Sequence, residues 1–445
     1  MSAFEGQRFV VVGLGVAGRA AARVLAEEGA NVRVTEESAD VEGTDGFRAL
    51  GVEVVTGGHE PSHLDNATVV VTSPGVPEHA PVLTWAAERG IEIWSELDVG
   101  ARLCEVPYIA VTGTNGKSTT TELVAAMMRA AGLDAVACGN IGHPFSVAAR
   151  EAHETLVVEA SSFQLRFHHW FHPQVSVLLN VASDHLDWHG SIESYAGSKA
   201  RVFELQTADE WHVGNADDPA AAAVSCGALC RLVWFRRGVP GDGEVGFEGG
   251  DMVARMDGEE RLGRPPFDSA GFCADAAAAA AAGLAFGLKA AAVAEGMHAM
   301  HLLPHRGQEV ARVNGVAFLD DSKATNVHAA LHALEGRTNV VLIAGGRSKG
   351  VDLTPLAAAT PSLAGVIAIG EAASEIIAVF EGRVPVRAAD SIEEAVRTAR
   401  DLAPPGGTVL LAPACASWDM FRDYGERGER FAAAASELAL EASRG

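Results

Sequence analysis

Short apolar runs alternate with helix-forming stretches along almost the whole chain, and this alternation limits the possible folds more than any other feature. RFVVVG, NVRVTE, ATVVVTSPG and IEIWS read as strands near the start. PYIAVTG, TLVVEAS and VSVLLNVAS follow, then GVAFLDDS, NVVLIAGG, GVIAIG and GTVLLAPA. Strands regularly separated by helices are what a mainly parallel sheet with helical crossovers requires, so the expected class is α/β. A chain of 445 residues has room for two to four cores. The pattern restarts after IEIWS and again near HLLPHRGQEV, which predicts three domains: 1–95, 96–303 and 304–445. The alanine-rich stretch around residues 275–289, with its run Ala276–Ala282, is expected to be one helix on propensity alone.

Composition narrows the function classes. The net charge of −24 argues against an extended nucleic-acid surface, whose footprint is basic. No apolar run reaches the roughly 18 residues that span a bilayer, and MSAFEGQRF lacks a signal-peptide pattern, so no membrane insertion is expected. Six cysteines without a dense framework fit a reducing cytoplasm, the expected location. Cys226 and Cys230 have no second pair at zinc-type spacing.

Only five lysines occur. Four lie in short loaded phrases: Lys117 in GTNGKST, Lys199 in GSKARVF, Lys323 in DDSKATN and Lys349 in GGRSKG. The fifth, Lys289, falls late in the alanine-rich stretch. Arginine carries nearly all the other positive charge. Lysine is a compact point charge whose amine can be deprotonated or modified, so phosphate handling and lysine chemistry are the first expectations.

VTGTNGKSTTTE has the strand, glycine loop and helix order of a phosphate-binding loop. Gly113 and Gly116 let backbone N–H groups approach phosphate oxygens, Lys117 adds charge, and Ser118 offers a hydroxyl to Mg²⁺. The spacing departs from GxxxxGK[ST], because residue 111 is valine. GLGVAG at 13–18 fits a dinucleotide fingerprint, with Glu36 where the ribose-binding acid belongs. Glu159 ends a strand in VVEASSFQ, and Asp184, His185 and Asp187 follow another, which suits Mg²⁺ binding beside a phosphate loop. His168, His169 and His172 read as packing or surface residues. Arg306, Lys323 and Lys349 are a candidate anion-binding set.

Taken together, GTNGKST, GNIG, EASSFQL, LNVASDHLD, PHR, DSKATN, GGRSKG and the PACAS–ERG terminus resemble the Mur ligases, the ATP-dependent amide-forming enzymes of peptidoglycan synthesis. The resemblance covers essentially the whole chain and leans towards members that add D-glutamate to UDP-N-acetylmuramoyl-L-alanine. It implies a Rossmann-like N-terminal domain for the UDP end, a central P-loop ATPase domain, and a Rossmann-like C-terminal domain for the amino acid. It further implies an acyl-phosphate intermediate, ATP with two Mg²⁺ sites, and a monomer.

By that resemblance Gly113, Thr114, Asn115, Gly116, Lys117, Ser118 and Thr119 would hold ATP, with Asp275, Arg306 and Asp321. Ser118, Glu159, His185 and a carbamylated Lys199 would serve the metals. Gly15, Val16, Glu36, Ser73, Pro74, Gly75, Asn140, Ser161 and Gln164 would contact the UDP substrate. Thr325, Lys349, Ser417 and Tyr424 would hold the glutamate, with Lys117, His185, Lys199 and Lys323 nearest the chemistry. Two phrases depart from the family. GFCAD stands where HN-x-x-N is usual, leaving Asp275 as the candidate there, and Ser38 stands where an arginine is frequent. The alternatives are a sister ligase for another amino acid and a folylpolyglutamate synthetase-like ligase. An NAD-dependent oxidoreductase and a non-catalytic nucleotide-binding protein are more distant.

Overall fold

A computed structural model describes residues 3–300 and 304–444. The boundary expected at 303 lies outside the described residues. The chain folds into two compact units. The first comprises 1–181, 188–268 and 272–300, and the second comprises 182–187, 269–271 and 301–445.

The first unit holds two sheets. β1 (Arg8–Val12), β2 (Asn31–Glu36), β3 (Glu53–Thr56), β4 (Val69–Thr72) and β5 (Glu92–Trp94) pair in parallel in the order β3-β2-β1-β4-β5. The period of two sends Phe9 and Val11 to one apolar cluster and Val10 and Val12 to another, so β1 is buried on both faces. The strand order reverses beside β1, and a crevice opens beyond the carboxyl ends of β1 and β4. The helix Val16–Glu27 packs tightly there: a Cβ on Gly18 would stand 2.1 Å from the Gly13 carbonyl oxygen. Only glycine allows that approach.

The second sheet comprises β6 (Tyr108–Thr112), β7 (Ala135–Gly139), β8 (Thr155–Glu159), β9 (Val175–Leu178), β10 (Trp211–Asn215), β11 (Arg231–Phe235), β12 (Glu244–Glu248), β13 (Asp251–Arg255) and β14 (Glu259–Gly263). Its order is β14-β13-β12-β11-β10-β9-β6-β8-β7, parallel except for the antiparallel β12–β13–β14 edge. That edge was not legible as strands. EVGFE, DMVAR and EERLG are short and charged, and ion pairs such as Arg255–Glu259 at 3.1 Å line them.

The alanine stretch differs from the expectation. One helix runs Ala270–Phe286, Gly287 at φ +103° ends it, and Lys289 caps the next helix, Ala290–Ala299. Propensity favoured continuation, but glycine in a left-handed conformation terminates a helix.

The second unit holds β15 (Gln308–Val313), β16 (Val316–Asp320), β17 (Val340–Gly345), β18 (Leu363–Ile369), β19 (Val386–Ala388) and β20 (Thr408–Leu411). The order is β15-β16-β20-β17-β18-β19, parallel except for the β15–β16 hairpin. Asn314 and Gly315 turn that hairpin with φ of +48° and +84°, the Asn-Gly solution for a tight turn. Among the described residues no helix is long and apolar enough to cross a membrane.

Candidate active site

The phosphate loop joins β6 to the helix Lys117–Ala130, and Gly116 caps that helix at φ +85°. Gly116 offers no side-chain cap, and the helix turns the positive end of its dipole to the loop. Asn180, just beyond β9, shapes the loop. Its Oδ1 accepts from Thr114 N–H at 3.0 Å and Asn115 N–H at 2.8 Å, and its Nδ2 donates to the Asn115 carbonyl. The Lys117 ammonium folds back and donates to the carbonyls of Gly113 (3.0 Å) and Thr114 (2.9 Å). Ser118 and Thr119 are buried at the first turn.

The helix Ile192–Ala200 meets the same loop one turn apart. The Tyr195 hydroxyl donates to Thr114 Oγ1, and Lys199 Nζ donates to the Gly113 carbonyl at 2.7 Å. Lys199 is 1% exposed and lies 4.4 Å from the Tyr195 ring centroid. Asp275, at the loop's other side, is so close that a Cβ on Gly116 would stand 2.1 Å from its Oδ1.

Glu159 ends β8, is 3% exposed, and accepts from Asn140 Nδ2 at 2.9 Å through Oε1. Its Oε2 is buried with no hydrogen-bond partner. A buried carboxylate oxygen left bare is costly, and a divalent cation is one group that would satisfy it. The residues present therefore fit a Mg²⁺ held by Glu159 and the Ser118 hydroxyl. Among the described residues no group of three His, Cys, Asp or Glu side chains is placed to hold a metal ion, and oxygen ligands from hydroxyls and phosphates would complete such a shell. His185, the expected second metal residue, lies in the strip 182–187 that belongs to the second unit, with φ +53°.

A cavity of about 1000 Å³ opens beyond β1 and β4. Of the expected UDP-substrate contacts, Gly15, Val16, Glu36, Ser73, Pro74, Gly75, Asn140 and Gln164 line it. Ser161 does not. It caps the helix Ser162–Arg166, where its hydroxyl accepts from Gln164 N–H and donates to Gln164 Oε1 at 2.8 Å. Glu36 is held by backbone donors, Leu14 N–H at 2.6 Å and Ser38 N–H at 3.1 Å. Its carboxylate thus ties the glycine loop to the end of β2.

In the second unit three of the sequence phrases converge. Lys323 Nζ stands 3.7 Å from the Tyr424 ring centroid, a cation–π contact between two expected site residues. His305 Nδ1 meets Asp320 Oδ2 at 2.7 Å, and the Lys323 N–H donates to the His305 carbonyl. Arg427 is fully buried and donates to Ser322 Oγ (3.0 Å), the Ser322 carbonyl (2.8 Å) and the Cys415 carbonyl (3.1 Å). Burial lowers its pKa to about 10. Burial pushes Asp321 up to about 7, against the downward pull of Arg306.

Lys349 Nζ meets Asp184 Oδ1 at 2.7 Å, and Asn326 Nδ2 donates to Asp184 Oδ2 at 3.1 Å. Burial acts to raise the Asp184 pKa, but Lys349 and His185 hold it below the usual carboxylate value. Thr325 follows on the same turn as Lys323, and Ser417 is buried at 2% exposure.

Asn180, Tyr195 and Arg427 were missed as site residues. Asn180 and Arg427 lay inside singled-out phrases, LNVASDHLD and the ERG terminus, but nothing in spacing gives a lone Asn or Arg its partner. His168 is fully buried and bonded to the Arg201 carbonyl, His169 reaches the Ile93 carbonyl, and His172 pairs with Glu210.

Three family models match the sequence: Mur ligase MurD-like, N-terminal domain, over 7–95; Mur ligase middle domain over 111–233; and Mur ligase, glutamate ligase domain, over 305–415. The chain is 43% identical to a protein of Frankia casuarinae named UDP-N-acetylmuramoylalanine--D-glutamate ligase, over 97% of this chain and 94% of that one. A Streptomyces coelicolor protein of the same name is 38% identical over 98% and 99%. Among solved structures, MurF from Acinetobacter baumannii superposes with a TM-score of 0.63 at 16% identity, covering 98% of this chain and 91% of that one. A pseudomurein peptide ligase type C from Methanothermus fervidus gives 0.61 at 19%, covering 96% and 99%. These two show a shared fold. With three of the family's domain models matched in order along the chain and a relative 43% identical over 97% of it, the protein belongs to the Mur ligase family.

Proposed function

We propose that this protein joins D-glutamate to UDP-N-acetylmuramoyl-L-alanine at the expense of ATP, through an acyl phosphate, in the making of peptidoglycan precursors. The observation that carries the reading is the phosphate loop with the bare Glu159 oxygen beside it, in a chain 43% identical over 97% of its length to a curated glutamate ligase.

A carboxylate is a poor electrophile, so it must first acquire a leaving group. The muramoyl-alanine carboxylate attacks the γ-phosphorus, an O–P bond forms, and the bond to the β-phosphate oxygen breaks with its electrons leaving on ADP. The D-glutamate amine then attacks the acyl carbon, a proton leaves the nitrogen, and inorganic phosphate departs. Lys117 would turn from the carbonyls of Gly113 and Thr114 to the β/γ-phosphates, while the positive end of its helix faces the same anion. Magnesium, when bound, would neutralise charge on the transferring phosphoryl group, with Ser118 and Glu159 as ligands. Asn140 fixes Glu159 and lines the cavity as well, so one side chain orients both the acid and the nucleotide sugar.

Lys199 would be carbamylated: its amine adds to carbon dioxide and releases a proton, turning a cation into an anion able to serve a metal. Lys323, Thr325, Lys349, Ser417 and Tyr424 would receive the glutamate, and Arg306 and Asp321 the nucleotide. Asp275 would take the place of the family's asparagine beside the loop. The enzyme would act in the cytoplasm as a monomer.

The deciding assay is phosphate release from Mg·ATP with UDP-N-acetylmuramoyl-L-alanine across D-glutamate, L-glutamate, L-alanine, L-lysine and diaminopimelate. Release with D-glutamate alone, matched by product mass, is expected. Release with another amino acid would replace the substrate and keep the family.

A further inference from the structure

The residues assigned to the amino acid, Lys323, Thr325, Lys349, Ser417 and Tyr424, are two ammonium groups and three hydroxyls. None of them is a base at neutral pH. An amino acid arrives as an ammonium, whose nitrogen has no lone pair and cannot attack an acyl carbon. The reaction therefore asks for a proton acceptor beside this set. Asp184, the carboxylate that meets Lys349, is already committed to that ammonium and to Asn326.

Two of these residues stand against a histidine. The Lys323 N–H donates to the His305 carbonyl at 3.2 Å, and the His305 ring meets the Tyr424 ring edge to face with centroids 6.3 Å apart. The Lys323 ammonium lies over the same Tyr424 ring. Asp320 is buried and accepts on both oxygens, from the Ser322 N–H at 2.9 Å and from His305 Nδ1 at 2.7 Å. A carboxylate engaged in that way only accepts, so in the neutral ring Nδ1 carries the proton and Nε2 presents its lone pair. Among the described residues Nε2 has no hydrogen-bond partner, and the side chain keeps 17% of its surface open. The surrounding chain is shaped to this ring. His305 holds a φ of +62°, which costs free energy in a non-glycine residue. Gly428, in the ERG phrase, makes room, since a Cβ there would stand 2.2 Å from Nδ1 and 2.7 Å from Asp320 Oδ2. The Ser322 hydroxyl, which accepts from Arg427, donates to the Tyr424 carbonyl and so ties the turn beneath Asp320 to the same helix start. An imidazole oriented through one nitrogen by a buried carboxylate, with the other nitrogen open, has the arrangement of a general base.

We propose that His305 is the general base of amide formation, with Asp320 as its positioning residue. Nε2 takes one proton from the ammonium of the amino acid, and the freed amine attacks the acyl phosphate. The C–N bond forms, and the nitrogen of the tetrahedral adduct gives its second proton to the departing phosphate. The C–O bond to that phosphate breaks, with its electrons leaving on inorganic phosphate. The imidazolium, steadied by Asp320, then returns its proton to solvent. The inference rests on the ligase reading and adds to it the base that the assigned residues lack.

Hydroxylamine separates the steps, because it is largely unprotonated at pH 7 and captures an acyl phosphate as a hydroxamate without a base. The test measures hydroxamate formation and D-glutamate ligation in the wild type, His305→Gln and Asp320→Asn, each with Mg·ATP and UDP-N-acetylmuramoyl-L-alanine. His305→Gln should ligate D-glutamate about 100-fold more slowly at pH 7, with most of the loss in kcat. The deficit should shrink at alkaline pH, where more of the glutamate carries a free amine. Asp320→Asn should show the same pattern with a smaller loss. Both variants should form hydroxamate at the wild-type rate, which also shows that each is folded. Ligation by His305→Gln at the wild-type rate would overturn the assignment. So would a fall in hydroxamate as deep as the fall in ligation, because His305 would then serve the acyl phosphate or the fold. A wild type that forms neither product would overturn the ligase reading as well.

Discussion

The ammonium of Lys349 and the carboxylate of Asp184 meet at 2.7 Å with both side chains less than a tenth exposed. A buried pair is expensive to form but more expensive to break on one side. Lys349→Met should therefore cost about 3 kcal/mol in urea denaturation. Asp184→Asn added to it should restore most of that, because no uncompensated charge remains. A single variant as stable as the wild type would show that the pair carries no such burden. The same Lys349→Met change should raise KM for D-glutamate if this ammonium holds the amino acid's carboxylate.

Gly116 combines a φ of +85° with an Asp275 oxygen 2.1 Å from where a Cβ would stand. Gly116→Ala should displace the phosphate loop and lower kcat/KM for ATP by about 100-fold. Adding Asp275→Ala removes the collision and leaves the backbone strain, so rescue should be partial. Full rescue would mean that the left-handed conformation matters little.

Arg427 ties Ser322 to Cys415 through three hydrogen bonds in a site with no exposure. Arg427→Met takes the guanidinium donor from two buried carbonyls, at a cost of about 3 kcal/mol, while the Ser322 hydroxyl keeps its bond to the Tyr424 carbonyl. The Lys323 and Ser417 turns are neighbours of those anchors in sequence, so KM for D-glutamate should rise while affinity for UDP stays unchanged. Calorimetry with UDP and glutamate titrations in the assay separate the two.

Between pH 7 and 5 buried histidines and buried carboxyls act on stability in opposite directions. Burial lowers His168 to about 4, helped by Arg201, and His212 to about 3. Each folded-state value lies below the ordinary 6.5, so the unfolded chain binds the proton first. The stabilisation is complete above 6.5 and drains away as pH falls towards 4 and 3. Asp98, raised by burial to about 6, works the other way, since its folded form takes up a proton that the unfolded carboxyl still refuses. Asp321, raised by burial to about 7, acts with Asp98, so two carboxyls oppose two imidazoles. Removing one imidazole by His212→Asn should make the change in urea midpoint from pH 7 to pH 5 more favourable than in the wild type, and an unchanged pH dependence in that variant would show that His212 carries no such linkage.

What the sequence disclosed and what it withheld divide along physical lines. Strands such as RFVVV and VVLIAG are buried on both faces, so hydrophobicity alone marks them. The β12–β14 edge carries as many charges as apolar side chains, and its pairing is visible only in space. The loops were legible because glycine and lysine at fixed offsets answer a phosphate's geometry. The roles of Asn180, Tyr195 and Arg427 were not, because each acts through partners 12 to 105 positions away that no local pattern announces, as with Arg427 and Ser322 or Asn180 and Thr114. Ser161, inside another telling phrase, caps its own helix, a local role that the phrase did not announce.

The seven alanines from 276 to 282 are all fully enclosed, and nearby Gly296 lies so close to Met127 that a Cβ would stand 2.3 Å from its Cα. Single-base changes in an alanine codon give glycine, valine, threonine, serine, proline, aspartate or glutamate. Of these only glycine is smaller, and it loosens a helix. Every other step adds bulk, charge or a kink where no space exists. The stretch of lowest information content is therefore poorly able to drift, and a library of random point changes should be depleted there as severely as at the lysines.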